Sequence, residues 1–249
     1  HGSVHVAGAA KQAEVPRFLF AGSCSIYGAG AKLDLDEDAP LNPLTAYARS
    51  KIDAEKLITA LADNDFSPVF LRNATAFGDS PMLRIDIVAN NLLAHAHVTD
   101  EIRVLSDGTP WRPLIHCRDI ARTFLAFMDA PRNDVHCQAV NVGANDSNYR
   151  VSDVVDEVQK IYPRARVVFT GKVGHDPRNY RVTFDKLGHL LPNFRLEHTL
   201  ASGVADLHHK LSERGFGRGD LDGVRFVRLR KLRQVLPRLQ SLRGLRRAN

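Results

Sequence analysis

The sequence predicts an α/β fold built on a parallel sheet. Short apolar runs of strand length, such as FLFAG at 18–22, alternate with longer amphipathic stretches. Those stretches are ten residues or more, enough to carry a helical crossover between parallel neighbours. At 249 residues, 44% of them hydrophobic and 25% charged, the chain can fill one large α/β domain or two smaller ones. That apolar content excludes a disordered chain, and Gly and Pro are too sparse for a fibrous one.

Taken in order, Val4–Ala13 reads as a helix with small residues on one face. Phe18–Gly22, just after Pro16, reads as a buried parallel strand. A polar loop rich in Asp and Pro follows at Leu33–Pro43. Thr45–Ala62 is the strongest helical pattern, punctuated at its start by Asn42-Pro43, with Ile52, Leu57, Ile58 and Leu61 as its apolar stripe. Val69–Leu71 is the next buried strand and runs into RNATAFG. Helices are then expected at Ile85–Ala96, Asp119–Asp129, Ser152–Tyr162 and Leu200–Ser212. Strands are expected at Ala139–Val142, leading into Gly143, and at Arg166–Phe169, and Asp107-Gly108 marks a turn.

Cys24, Cys117 and Cys137 are an odd number at unmatched spacings, which suggests neither a disulfide framework nor a metal site. No apolar run approaches the length of a membrane span, and no charged-then-apolar leader opens the chain. The expectation is a reduced, cytoplasmic protein. The chain opens at His1 without Met and already in a helical pattern, so a preceding segment is expected. The formal charge of +6 is uneven: residues 224–249 hold nine Lys or Arg and no acid, leaving −3 on the other 223. The basic character therefore belongs to the tail, and nucleic acid is not the expected partner of the body.

The sharpest chemical signal is Ser23 at a strand end, Tyr47 two dozen residues on, and Lys51 four beyond it. Spacing i, i+4 puts the phenol and the ammonium one turn apart on one helix face, and a nearby cation favours the phenolate. Such a phenol can take a proton from a substrate hydroxyl while hydride leaves the same carbon, and a Ser hydroxyl can hold that oxygen. By itself Y-x-x-x-K also fits an ordinary solvated helix face.

Six stretches in order change that balance: RFLFAGSCSIYG (17–28), PLTAYARSKIDAEKLI (43–58), LRNATAFGDSP (71–81), NNLL (90–93), WRPLIHCRDIA (111–121) and NVG (141–143). DPRNYRVTFDKL (176–187) adds a weaker one. Over about 140 residues the sequence resembles the extended short-chain dehydrogenases/reductases, the nucleotide-sugar epimerases, dehydratases and reductases. The resemblance implies a partial Rossmann-type parallel sheet in 1–75 and 116–143, a smaller substrate-binding domain in 76–115 and 144–222, and a basic C-terminal tail in 223–249. It implies NAD or NADP as cofactor and a nucleotide-diphosphate sugar as substrate. It also implies a homodimer formed through two helices per subunit, one of them bearing the Tyr.

Residue by residue, the resemblance makes Ser23 catalytic, with Ser25 its neighbouring competitor, Tyr47 the acid/base, and Lys51 the residue that tunes it and holds the nicotinamide ribose. Ala74 falls beside the cofactor, and Thr75 stands where many epimerases carry a substrate-contacting Asn. Arg112 matches an Arg on the diphosphate, where a guanidinium fork suits phosphate oxygens. Asn90 and Asn91 match an Asn near the nucleotide, or else form a polar helix face. Arg178 and Tyr180 sit where relatives place further phosphate or ribose contacts.

Three departures matter. Cys24 and Ser25 replace the acidic pair that 4,6-dehydratases use to eliminate water, which favours epimerisation or keto-reduction over dehydration. Cys24 and His116 read as core packing, His116 with its polar atoms satisfied. The glycine-rich turn that seats a dinucleotide pyrophosphate is absent, since neither Gly28-Ala29-Gly30 nor Gly215, Gly217 and Gly219 has its strand-to-helix context. By resemblance, four strands would precede His1, and the first remaining strand would be an open edge. The competing reading is a cofactor-free remnant that binds through its tail. That tail interleaves Leu with Arg; its leucines are expected to pack on the substrate domain, with an anionic membrane surface or nucleic acid as the alternatives.

Overall fold

The structure is a computed structural model that describes residues 1–28, 34–171 and 179–246, the last with side chains to 237. Helix α1 (Gly2–Gln12) leads into β1 (Arg17–Ser23), which closes in a 3₁₀ turn at Cys24–Tyr27. Helix α2 (Ala46–Thr59) is followed by β2 (Ser67–Asn73), β3 (Thr75–Phe77), α3 (Val88–Thr99) and β4 (Glu101–Val104). Next come β5 (Trp111–His116), α4 (Cys117–Asp129), α5 (Arg132–Val135) and β6 (Ala139–Val142). Then follow β7 (Asn148–Arg150), α6 (Val151–Ile161), β8 (Arg166–Phe169), α7 (Asp185–Leu190), α8 (Leu200–Glu213), α9 (Arg218–Asp222) and α10 (Arg228–Arg246).

The first sheet has the order β1-β2-β6, all parallel, with Ser23 opposite Asn73 and Arg72 opposite Asn141. Its strands are Val/Leu/Phe-rich because both faces are covered. Phe20, Phe66 and Phe70 pack with Ala54 and Ile58 of α2 on one side, and Val69, Leu71, Val140 and Val142 pack with Ile26 and Phe127 on the other. Among the described residues β1 has no partner on its outer side. Two smaller sheets, β3-β5-β7 and β4-β8, share a second core with α3, α6 and α8.

Three expectations need correction. Of the expected α2 stripe, Ile58 is buried and Ile52 and Leu61 pack against the cores, but Leu57 is 51% exposed and the small residues Ala48 and Ala54 are buried instead. Segment 180–187, expected with the substrate domain, packs Tyr180, Val182, Phe184 and Leu187 into the first core. A parallel bridge from Val182 to Leu35 holds it there. The tail leucines whose side chains are described do not pack on the body either: Leu229, Leu232 and Leu236 are 54%, 50% and 41% exposed. Strands β4 and β5 were not expected; both are short, and β5 contains Pro113.

Within the second core, α8 crosses Phe77. Thr199 and Ser202 cap α8 reciprocally: Ser202 N donates to Thr199 Oγ1 and Thr199 N to Ser202 Oγ. Gly203 lets the helix touch the aromatic ring, since a Cβ there would stand 2.5 Å from Phe77 and 3.0 Å from His116. Alanine is the better helix former by about 1 kcal/mol, whereas overfilling a packed contact costs about 1–3 kcal/mol. The clash is expected to win. Gly203→Ala should lower the unfolding free energy in urea by roughly 1–2 kcal/mol, and a neutral or stabilising result would contradict this packing.

Candidate active site

In an open parallel sheet, ligands collect at the carboxyl ends of the strands. Ser23 and Asn73 occupy those ends side by side. Thr45 caps α2 by accepting from Ala48 N at 3.1 Å, which sets Tyr47 in the first turn, 54% exposed. One turn later Lys51 Nζ donates to the Ala21 carbonyl of β1 at 2.7 Å. The same ammonium stands 5.0 Å from the Phe20 ring centroid and 5.5 Å from that of Tyr47. Lys51 thus ties the helix bearing Tyr47 to the strand bearing Ser23. Burial pulls the Lys51 pKa below its usual value.

Ser23 and Ser25 are coupled rather than rivals. Ser23 Oγ accepts from Ser25 N at 3.2 Å, capping the 3₁₀ turn, and donates to Ser25 Oγ at 2.9 Å. Cys24 between them is buried, and its thiol, driven well above the ordinary range by burial, donates to the Arg72 carbonyl at 3.0 Å. It is a packed thiol in its protonated form.

What holds α2 in this pose is a buried polar network. Arg72 of β2 binds both Glu55 oxygens, at 2.5 and 3.3 Å, and donates to Tyr27 Oη at 3.1 Å and to the Glu37 carbonyl at 2.9 Å. Tyr27 in turn donates to Asn141 Oδ1 at 2.7 Å, and Asn141 N donates to Glu37 at 2.6 Å. Glu55 lies one turn beyond Lys51, so the network fixes both the rotation and the height of the helix.

Two residues were missed by the sequence reading. Arg84, whose pKa is raised chiefly by its bidentate pair with Asp86, lies within electrostatic range of the Tyr47 side chain. Asn73 Oδ1 is enclosed without a partner, although its amide nitrogen donates to Leu71 and Gly22 carbonyls. An orphaned acceptor beside Ser23 is a group waiting for a donor. Neither residue belongs to a recognisable spacing, and only the fold brings them to the cleft.

The other expected residues fall into two groups. Ala74 is buried, its N–H spent on the Val142 carbonyl, and Thr75 is half-buried at the start of β3. Asn90 is buried and clamps the Gly78 backbone and the Arg84 carbonyl, while Asn91 donates to the Ile85 carbonyl. Both support the loop that carries Arg84. Tyr180 is 1% exposed and packs in the first core. Arg178 and Gly30 lie outside the described residues. Arg112 is buried on β5 and donates to the Trp111 carbonyl at 2.8 Å. The Trp111 ring is flanked by Arg150 at 5.0 Å and Arg181 at 5.1 Å. Arg181 also pairs with Asp34 at 3.0 Å, yet its Nε is enclosed without a partner. The two guanidinium groups flanking this indole form a site suited to an anion.

The described residues contain one cluster of metal-ligating type, Asp119, Glu197 and His198. Asp119 is already saturated: it accepts from the Glu197 and His198 backbone, from Arg122 and from the His198 ring. It acts as a clasp between α4 and the entry to α8. The described cavity of about 360 Å³ lies between Gly143, Phe184, Phe194 and His198 and contains none of the expected site residues.

The profile of the NAD dependent epimerase/dehydratase family matches residues 1–143, more than half of the sequence. The chain belongs to that family. Among curated relatives, the UDP-glucose 4-epimerase of Bacillus subtilis (strain 168) is 28% identical over 164 residues, 59% of this chain and 48% of the relative. The Mus musculus UDP-glucose 4-epimerase is 27% identical over 59% of this chain and 47% of its own length. The chain thus spans about half the length of the curated relatives it matches. Among solved structures, MoeE5 in complex with UDP-glucuronic acid and NAD superposes with a TM-score of 0.73 at 25% identity, over 86% of this chain and 70% of that one. The UDP-glucuronic acid 4-epimerase from Bacillus cereus, in complex with UDP-glucuronic acid and NAD, gives 0.75 at 22% identity, over 85% and 66%. The latter likeness establishes the Rossmann-like α/β fold.

His116 corrects one further expectation. It is buried, stacked on His198 at 4.0 Å, but its Nε2 has no partner, and the nearest acid, Asp206, is 4.0 Å away. Burial, reinforced by the neighbouring His198, holds its pKa down at about 4. Between the ordinary imidazole value and that one, the unfolded chain binds a proton that the folded chain refuses, so stability falls as pH falls. The window is worth up to about 3 kcal/mol. Urea unfolding followed from pH 7 down to pH 4 should show a loss of that order. His116→Asn, which keeps an acceptor at the α4 cap, should show a shallower loss; equal slopes would contradict the assignment.

Proposed function

We propose that this chain carries the acid/base and substrate-holding groups of an NAD(P)-dependent nucleotide-sugar epimerase or reductase. The observation that carries the reading is Lys51 Nζ, bound to the Ala21 carbonyl and standing beside the Tyr47 ring. It places a fixed cation next to an exposed phenol, at the strand end where Ser23 sits. The nicotinamide cofactor, when bound, supplies the hydride acceptor.

The residues fit the nicotinamide–ribose end of such a cofactor. The Lys51 ammonium has three donors and gives one to Ala21. Asn73 Oδ1 offers an enclosed acceptor beside Ser23, and Ala74 follows it. The sequence contains no G-x-x-G-x-x-G turn for the diphosphate end.

In the proposed reaction the Ser23–Ser25 hydroxyl pair holds the sugar oxygen. Tyr47 takes the proton from that oxygen as the carbinol is oxidised and returns it when the carbonyl is reduced. Lys51, held by the Ala21 carbonyl, presents a fixed positive charge beside that phenol at no reorganisation cost. Arg112, together with the Arg150 and Arg181 pair that flanks the neighbouring Trp111 ring, balances the charge of the nucleotide diphosphate. Epimerisation returns hydride to the opposite face of the transient ketone; reduction releases the alcohol. The same side chains serve both.

In the enzyme that carries this chain, Tyr47→Phe should lower kcat on its nucleotide sugar by about 10²–10⁴, with nucleotide-sugar affinity within about threefold of wild type. Near-normal turnover would remove Tyr47 from the mechanism. Turnover without net NADH would assign epimerisation, and stoichiometric NAD(P)H consumption would assign reduction.

A further inference from the structure

We infer that α10 is a membrane-surface helix that seats this chain on an anionic lipid bilayer. The helix runs from Arg228 to Arg246, about 28 Å at 1.5 Å per residue. It carries seven Lys or Arg and no acid. Before Pro237, Leu229, Leu232 and Leu236 recur at i, i+3 and i+7 on one side with Arg228 beside them, Lys231 and Arg233 flank that side, and Arg230 turns back to the body. All three leucines are among the exposed large hydrophobics, so the protein's own body does not cover them.

The root of the helix is nevertheless fixed. Phe226 and Val227 pack against the second core, and Ile85 N donates to the Phe226 carbonyl at 3.2 Å. Arg230 donates to the Leu221 and Gly223 carbonyls at 3.0 and 3.3 Å. An anchored helix with an uncovered Leu face is presented outward.

Charge selects the occupant. A surface that accepts leucine side chains and also neutralises a wholly basic flank must be apolar inside and anionic outside, as an acidic bilayer is. A second copy of α10 would cover the leucines but bring like charges together. Nucleic acid would neutralise the arginines but leave the leucines without a role, and α10 has no aromatic residue to stack on bases. Among the described residues no helix is long and apolar enough to cross a membrane, so the contact is peripheral.

The test is co-sedimentation of the full 249-residue chain with phosphatidylcholine vesicles and with vesicles of phosphatidylcholine and phosphatidylglycerol in a mixture of about 7:3, at about 0.1 M salt. Partitioning onto the acidic vesicles should be at least about tenfold stronger, and should weaken as salt rises. Combining Leu229→Ser, Leu232→Ser and Leu236→Ser should cut it about tenfold or more. The far-UV circular dichroism melt should stay unchanged, since those side chains are exposed. Combining Arg228→Gln, Lys231→Gln and Arg233→Gln, which leaves the Arg230 anchor in place, should erase the preference for acidic lipid. Equal affinity for both vesicle types, or for neither, would overturn the proposal. So would a Leu-to-Ser variant that binds like wild type, tighter binding to duplex DNA at the same salt, or a concentration-dependent dimer abolished by the Leu changes.

Discussion

A guanidinium buried in the middle of a parallel sheet constrains everything round it. Arg72 sits on β2 with its charge withdrawn from water, a state tolerated only when each N–H has a well-placed acceptor. Those acceptors come from four separate places: Glu55 on α2, Tyr27 after β1, the Glu37 backbone in the following loop and, through Tyr27, Asn141 on β6. Removing any one would leave part of a buried charge unmatched, so the helix, the strand end and the loop are held to one mutual arrangement. Tyr47 and Lys51 inherit their position from this arrangement, because they lie two turns and one turn before Glu55 on the same helix.

Much of this was legible in the sequence, for identifiable reasons. Strands β1, β2 and β6 are continuous apolar runs because both faces of the sheet are covered, and Ala139–Val142 and Arg166–Phe169 fall where expected. The spacing of Tyr47 and Lys51 is a local property of one helix, which the sequence encodes directly. The less legible features are relations across the chain. Asn73 becomes an orphaned acceptor only when β2 pairs with β1, and Arg84 approaches Tyr47 only because Asn90 clamps its loop. Leu57 looked buried by periodicity, yet alanines allow the helix to approach along a different face. Tyr180 is buried because the 180–187 segment crosses back onto the first core, a placement that no local pattern encodes.

The arrangement also separates two kinds of charge. Lys51 stands beside a phenol at the strand ends, whereas Arg150 and Arg181 flank Trp111 and can balance an anion. The tail is a third basic region. It differs from both in pairing its cations with exposed leucines, and it leaves the body from the second core rather than from the cleft.

The account rests on the coupling between Glu55 and Arg72, and a double-mutant cycle measures it most directly. Urea unfolding of the wild type, Glu55→Gln, Arg72→Met and the double variant gives the interaction free energy. A coupling of about 1.5–3 kcal/mol is expected for a buried, bidentate pair. If the two single losses add to within about 0.5 kcal/mol, the pair is energetically independent, and the claim that it sets the pose of the Tyr47 helix is wrong.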